Sequence, residues 1–288
     1  MHGTTPARHR AADEPLVGVE ERHPEWRPWL RLVRLALEEL ERGWDVQVDL
    51  IPERADGVPL LHDAVLTLDE RRTRGWMERL IAAAADFRDG GNPLDRSALD
   101  RVPPLGLVGA AIRMDDEAIA TMADSAGADA NAFGSIAQLA VFPILHSVRR
   151  RLAREIPTAW PHGWCPVCAA WPTLAEMRGL ERERRMRCGR CGSDWRRNVL
   201  HCPFCDENDH RKLGALLEEG DEERRRVETC RTCMGYLKSV TTLGALPEAK
   251  LAAEDVTTLH HDLVAVERGF RRPERAGFEL ALRVTAQR

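Results

Sequence analysis

The 288-residue chain has no cysteine before position 165 and only three lysines, Lys212, Lys238 and Lys250, among its 42 basic residues. That preference for arginine reflects base composition more readily than function. A basic excess is also missing, since the formal charge is −4, which argues against a protein that coats polyanions. No apolar run reads as long enough to span a bilayer, so membrane insertion is not expected. The opening MHGTTPARHRAADEP lacks the apolar stretch of a secretory leader. These absences together predict a cytoplasmic location, where thiols stay reduced. What remains is ordinary globular material. With 43% hydrophobic and 31% charged residues, the chain can bury a core and is too apolar for a disordered one.

The cysteines are the informative feature. All eight fall between Cys165 and Cys233, and only as CxxC pairs: Cys165/Cys168, Cys188/Cys191, Cys202/Cys205 and Cys230/Cys233. A CxxC turn presents two thiolates on one side of the chain, and two such turns complete a tetrahedral four-sulfur site suited to zinc or iron. Pro166 and Pro203 preset the turn, and Gly192 permits a left-handed residue beside the metal. One CxxC is equally a redox pair; four within so short a stretch, in a reducing compartment, point to metal. Pairing in chain order predicts one site from Cys165, Cys168, Cys188 and Cys191 and another from Cys202, Cys205, Cys230 and Cys233. Interleaving into a cross-brace is the alternative.

Chain order is favoured because each half reads as the same unit. Cys165 and Cys202 each open a Cys-Pro-x-Cys, and the stretch between the two pairs of a unit has the length of a hairpin. In the first unit, residues around Trp171 and Leu174 lead to a turn at Gly179, Arg182 to Arg187 return, and Trp195 with Val199 suggests a third strand. In the second, Leu213, Leu216 and Leu217 go out, Glu218 to Glu223 turn, and Val227 returns. Met234 to Val240 reads as a terminal strand. Modules this small do not fold on hydrophobic burial alone, and a structural metal ion supplies roughly 10 kcal/mol. His162 and His201 flank metal turns, but four thiolates already fill each site, so both read as exposed loop histidines.

Residues 24–156 read as helices. Trp26, Leu30, Val33, Leu37 and Leu40 recur at helical spacing until Gly43, and Trp76, Leu80, Ala83, Ala84 and Phe87 repeat the pattern until Gly90-Gly91-Asn92-Pro93. Asp115 can cap a short helix to Ala123. Ile136, Ala140, Ile144, Val148 and Leu152 mark a longer one with a kink expected at Pro143. No phosphate loop, dinucleotide fingerprint or nucleophile elbow is present, and no catalytic residue is assigned. A last helix is expected from Glu254 to Arg268, with His260-His261 solvated, and the tail after Pro273 loosely held.

The fold expected is therefore α+β: a flexible tail (1–23), a helical domain (24–160), a first metal ribbon (161–200), a second (201–245), and a C-terminal helix and tail (246–288). The order CPVC, CGRC-GSDW, CPFC and CRTC-xx-YLK, followed by an acidic helical segment, resembles the formate dehydrogenase accessory protein (FdhE) family over residues 164–268. Ala169 and Asp206 stand where glycine is expected, and Glu254-Asp255 where Asp-Asp is expected. The resemblance implies rubredoxin-like ribbons carrying iron or zinc. It further implies a non-enzymatic maturation chaperone that binds the catalytic subunit of a molybdenum- or tungsten-dependent formate dehydrogenase during assembly.

Two other functions compete with that one. Zinc ribbons often bind nucleic acid, but from Gly163 to Val240 there are 15 basic against 13 acidic residues, and each four-thiolate site around a divalent ion adds about −2. Glu181 and Glu183 interleave Arg182, Arg184, Arg185 and Arg187, the pattern of a solvated strand face. No nucleic-acid partner is expected. A rubredoxin-like electron carrier fits iron in the four-sulfur sites, but not a cysteine-free half larger than the ribbons.

Overall fold

The computed structural model describes residues 16–84, 96–221 and 224–287. The chain forms two compact units: one from 17–54, 60–154 and the segment from 280 onward, the other from 55–59 and 155–279.

In the cysteine-free unit, residues 16–22 form a helix, α1, in which Val19 is buried and Glu20 accepts from Arg34 at 2.6 Å. The expected flexible tail, residues 1–23, thus includes a helix over 16–22. Helix α2 (Arg27–Arg42) buries Leu30, Val33, Leu37 and Leu40 and stops at Gly43, whose φ of 68° suits glycine. Helix α3 (Glu70–Ala84) buries Trp76 and Leu80, and the Trp76 indole donates to the Ala140 carbonyl. Phe87 and Gly90 to Pro93, the expected end of that pattern, lie outside the described residues. Helices α4 (Pro104–Arg113), α5 (Asp116–Ala126) and α6 (Ala130–Arg151) complete the set. Asp115 caps α5 by accepting from the Ala118 amide at 3.0 Å. Buried Glu39 gathers Arg42, Arg72 and Arg79 at 2.7–3.2 Å, which compensates a charge that would otherwise be costly to bury.

Three expectations fail in this unit. Strands β1 (Gln47–Asp49) and β2 (Ala64–Leu68) interrupt the helices, and the supposedly loose tail supplies β9 (Leu282–Ala286), paired in parallel with β2 from Ala64↔Leu282 to Leu68↔Ala286. These strands are short, and β9 meets a partner more than 200 residues away, a pairing that local periodicity does not encode. Helix α6 is also long and apolar enough to cross a membrane by length and composition, contrary to the sequence expectation; 61% of its apolar window is buried in the protein, as in a core helix.

In the cysteine-bearing unit, β3 (Leu174–Arg178), β4 (Glu183–Arg187) and β5 (Asp194–Arg196) form one meander, and β6 (Leu213–Leu216), β7 (Arg225–Cys230) and β8 (Tyr236–Thr242) form a second. The two are not separate sheets. Parallel pairing of β3 with β8, Leu174↔Lys238 through Arg178↔Thr242, fuses them into one six-stranded sheet in the order β5-β4-β3-β8-β7-β6. The expected C-terminal helix is two, α7 (Glu248–Thr257) and α8 (Leu259–Glu267), broken at Thr258. Leu251 of α7 packs with Leu174 and Val240, and Ala265 of α8 packs with Val227 and Tyr236.

Candidate metal centres

Each CxxC is the tip of a tight turn with a shared backbone plan. The residue just after the second cysteine has a left-handed φ in all four: Ala169 (63°), Gly192 (76°), Asp206 (62°) and Met234 (55°). The first cysteine's amide donates to the carbonyl five residues on: Cys165 to Ala170, Cys188 to Ser193, Cys202 to Glu207 and Cys230 to Gly235, all at 2.8–2.9 Å. Amides inside the turn point at sulfur, as with Val167 on the Cys165 Sγ at 3.4 Å. Sequence singled out only Gly192 for the left-handed residue. The same geometry is imposed on Ala169, Asp206 and Met234, so missing glycines do not alter the turn.

The eight thiols gather into two groups in chain order, Cys165/Cys168/Cys188/Cys191 and Cys202/Cys205/Cys230/Cys233; this is sequential pairing, not a cross-brace. All eight are free of disulfides. Sγ–Sγ distances are 3.5 Å for Cys165–Cys191 and Cys168–Cys188, and 3.7 and 3.8 Å for Cys202–Cys233 and Cys205–Cys230. A tetrahedron of ~2.3 Å metal–sulfur bonds has edges of about 3.8 Å. The donor sets therefore fit a four-sulfur metal ion. Burial pushes the Cys165 and Cys191 thiols well up, whereas hydrogen bonds from Cys165, Cys168 and Cys191 drive Cys188 well down. In the second group burial pushes Cys233 up to about 11. Metal entry must displace several protons, which makes affinity rise with pH.

The surroundings of the two groups differ. Every cysteine of the first is buried, whereas Cys205 is exposed and Cys233 half-buried. Gly163, just before the first turn, lies so close to the third that an added Cβ would fall 1.6 Å from the Pro203 carbonyl oxygen. Only glycine fits there.

His162 and His201 join neither group; both lie in loops as expected, but half-buried rather than exposed. His162 stacks on Trp164 with ring centroids 4.1 Å apart, and His201 Nδ1 lies 3.0 Å from Asp206. Glu207 has a role that its sequence position did not reveal. It accepts from the Thr232 hydroxyl (2.6 Å) and Lys212 (2.9 Å), tying the third turn to the fourth, and Thr232's bond is foremost in holding its carboxyl down at about 2.

The Tyr236-Leu237-Lys238 triplet is likewise explained by its contacts. Buried Lys238 reaches Asp262 (2.7 Å) and Asp255 (2.6 Å), Tyr236 donates to Asp262 (2.8 Å), and Arg272 donates to Asp262 at 2.9 Å. Glu254 meets Arg225 at 2.5 Å. The acidic segment is therefore the set of counter-charges that lock α7 and α8 onto β7 and β8.

The comparisons with known proteins centre on the cysteine-bearing region. A family profile described as FdhE, C-terminal domain, matches residues 200–280. A protein FdhE homolog of Stutzerimonas stutzeri is 32% identical over 111 residues, 38% of this chain and 35% of its own length. That of Edwardsiella ictaluri is 26% identical over 233 residues, covering 78% of this chain and 72% of its own. With the first of these the similarity spans little more than a third of the relative. The crystal structure of the FdhE protein from Pseudomonas aeruginosa shares the fold across 96% of both chains, with a TM-score of 0.59 and 22% identity. The four CxxC turns and the YLK lock thus lie in a region that is similar to the C-terminal domain of FdhE and to FdhE homologues.

Proposed function

We propose that this protein is a cytoplasmic accessory factor for formate dehydrogenase, a maturation chaperone that binds the catalytic subunit before assembly, with Cys165, Cys168, Cys188, Cys191, Cys202, Cys205, Cys230 and Cys233 holding two ions of iron or zinc. One observation carries the reading: each cluster offers four converging sulfurs. A metal so enclosed has all its positions filled by protein and keeps none open for substrate or water, the pattern of a structural rather than a hydrolytic site. Further support comes from the surface beside the third turn. Val199 and Leu200 are exposed and line a cavity of about 200 Å³ with Phe204, Leu213 and Leu237, an apolar foothold suited to a protein partner.

Co-purification with the metal-free, cofactor-free catalytic subunit tests the reading, together with deletion of the gene. Deletion should abolish formate dehydrogenase activity while leaving the catalytic subunit expressed. Full activity without the protein would overturn it. Exposure of Cys205 favours a second reading, one-electron transfer through iron in that cluster; a zinc-loaded protein that supports full maturation would eliminate it.

A further inference from the structure

We propose that Glu218, His260 and His261 form a third site, separate from the two four-cysteine clusters, that takes one exchangeable divalent transition-metal ion such as Ni²⁺ or Zn²⁺. Adjacent residues on a helix point about 100° apart, and the sequence suggested a solvated pair. Instead the two imidazoles converge. Their ring centroids are 4.3 Å apart, and both Nε2 atoms reach the same carboxylate oxygen, Glu218 Oε2, at 3.1 Å from His260 and 2.9 Å from His261. The break at Thr258 starts α8 immediately before them, and Glu218, two residues beyond β6, enters the wedge between the rings.

The donor set selects the ion. Two imidazole nitrogens and a carboxylate suit zinc, nickel or copper and not the all-oxygen preference of calcium or magnesium. Ligand bonds of ~2.1 Å place tetrahedral donors about 3.4 Å apart, so the observed spacing needs to open by a few tenths of an ångström. The residues can supply that movement. His261 is fixed, at 8% exposure, while His260 and Glu218 are half-exposed at 51% and 49%. Asp262, the next acid along, is committed to Lys238, Tyr236 and Arg272, so the protein supplies three ligands and solvent completes the shell. Exposure makes such an ion exchangeable, unlike one enclosed by four thiolates. The ion would clip the β6–β7 connection to α8, a property that does not depend on the maturation role.

The test uses the untagged full-length protein with both four-cysteine clusters zinc-loaded, titrated calorimetrically with Ni²⁺. One saturable Ni²⁺ per chain is expected without loss of zinc. His260→Ala and Glu218→Gln, both at half-exposed positions, should each weaken binding about tenfold or more, the scale of loss seen even for groups behind metal ligands, with zinc content and melting temperature unchanged. His261→Asn should do the same. Absence of a saturable Ni²⁺ site, or equal binding by wild type and both half-exposed variants, would overturn the proposal.

Discussion

In the first four-cysteine module Val167, Ala169, Ala170 and Trp195 are buried together with all four cysteines, whereas Cys205 of the second is exposed. The turns themselves are alike, with the same left-handed residue and the same closing hydrogen bond. What distinguishes the clusters is therefore their packing. Sheet position does not separate them, because each meander contributes one central strand, β3 or β8, and one edge strand, β5 or β6. One backbone device thus yields one cluster protected from solvent and one in contact with it.

The largest effect that can break this comparison comes from removing one ligand on each side. Cys188→Ala empties a buried cluster, leaving three buried sulfurs and no ion, and forfeits a contribution of roughly 10 kcal/mol; the protein should fail to fold cooperatively and lose both metals. Cys205→Ala should lose one metal while β3, β4 and β5 stay folded. Metal analysis with circular dichroism melts checks both. The same asymmetry predicts that a chelator strips one equivalent from wild type well before the other. Simultaneous loss of both equivalents, or equal damage from both substitutions, would show that burial does not separate the clusters.

Next in size are the ion networks at the join. Glu176 on β3 is fully buried and holds Arg187 and Arg178, while also accepting from the Leu246 amide. Glu176→Gln leaves the nearly buried Arg187 short of a counter-charge and should cost about 3–5 kcal/mol in urea unfolding. Asp262 performs the matching task for the second meander at 14% exposure, so Asp262→Asn should cost less. Burial raises the Asp262 pKa, but Lys238 and Arg272 more than offset this and hold it below the ordinary value. Its contribution is thus complete above the unfolded-state value near ~3.9 and disappears as pH falls through the lower folded value. The Asp262→Asn penalty should accordingly shrink under acid conditions.

The cysteine spacing made the clusters legible because CxxC chemistry is local: four residues determine where two sulfurs point. Helices α2, α3, α5 and α6 were legible for the same reason, through the periodicity of Leu30 to Leu40 or the cap at Asp115. Parallel pairs β3–β8 and β2–β9 were not, since Leu174 and Lys238 meet only after the intervening chain has folded. His260 and His261 illustrate the limit. Helical geometry alone separates neighbouring side chains, and only Glu218, arriving from another hairpin, brings their rings together.

The smallest test concerns the left-handed residue itself. An L-residue there costs about 1–2 kcal/mol that glycine avoids. Ala169→Gly removes that strain but also loses a buried methyl, worth about 0.8 kcal/mol, and loosens the unfolded chain, so the expected result is neutral to about 1 kcal/mol stabilising. Gly192→Ala, in the partner turn of the same cluster, imposes the strain and should destabilise by about 1–2 kcal/mol. Asp206 belongs to a different case. Aspartate tolerates the left-handed region, and here its carboxylate also receives Arg197 (2.5 Å) and lies 3.0 Å from His201. Asp206→Gly should therefore destabilise, by about 1 kcal/mol given the 66% exposure of the Asp206 side chain. Opposite signs for Ala169→Gly and Asp206→Gly in thermal melts would show that the buried turn retains its strain because the surrounding packing holds it, while the exposed turn offsets its own with side-chain bonds; equal signs would remove that distinction.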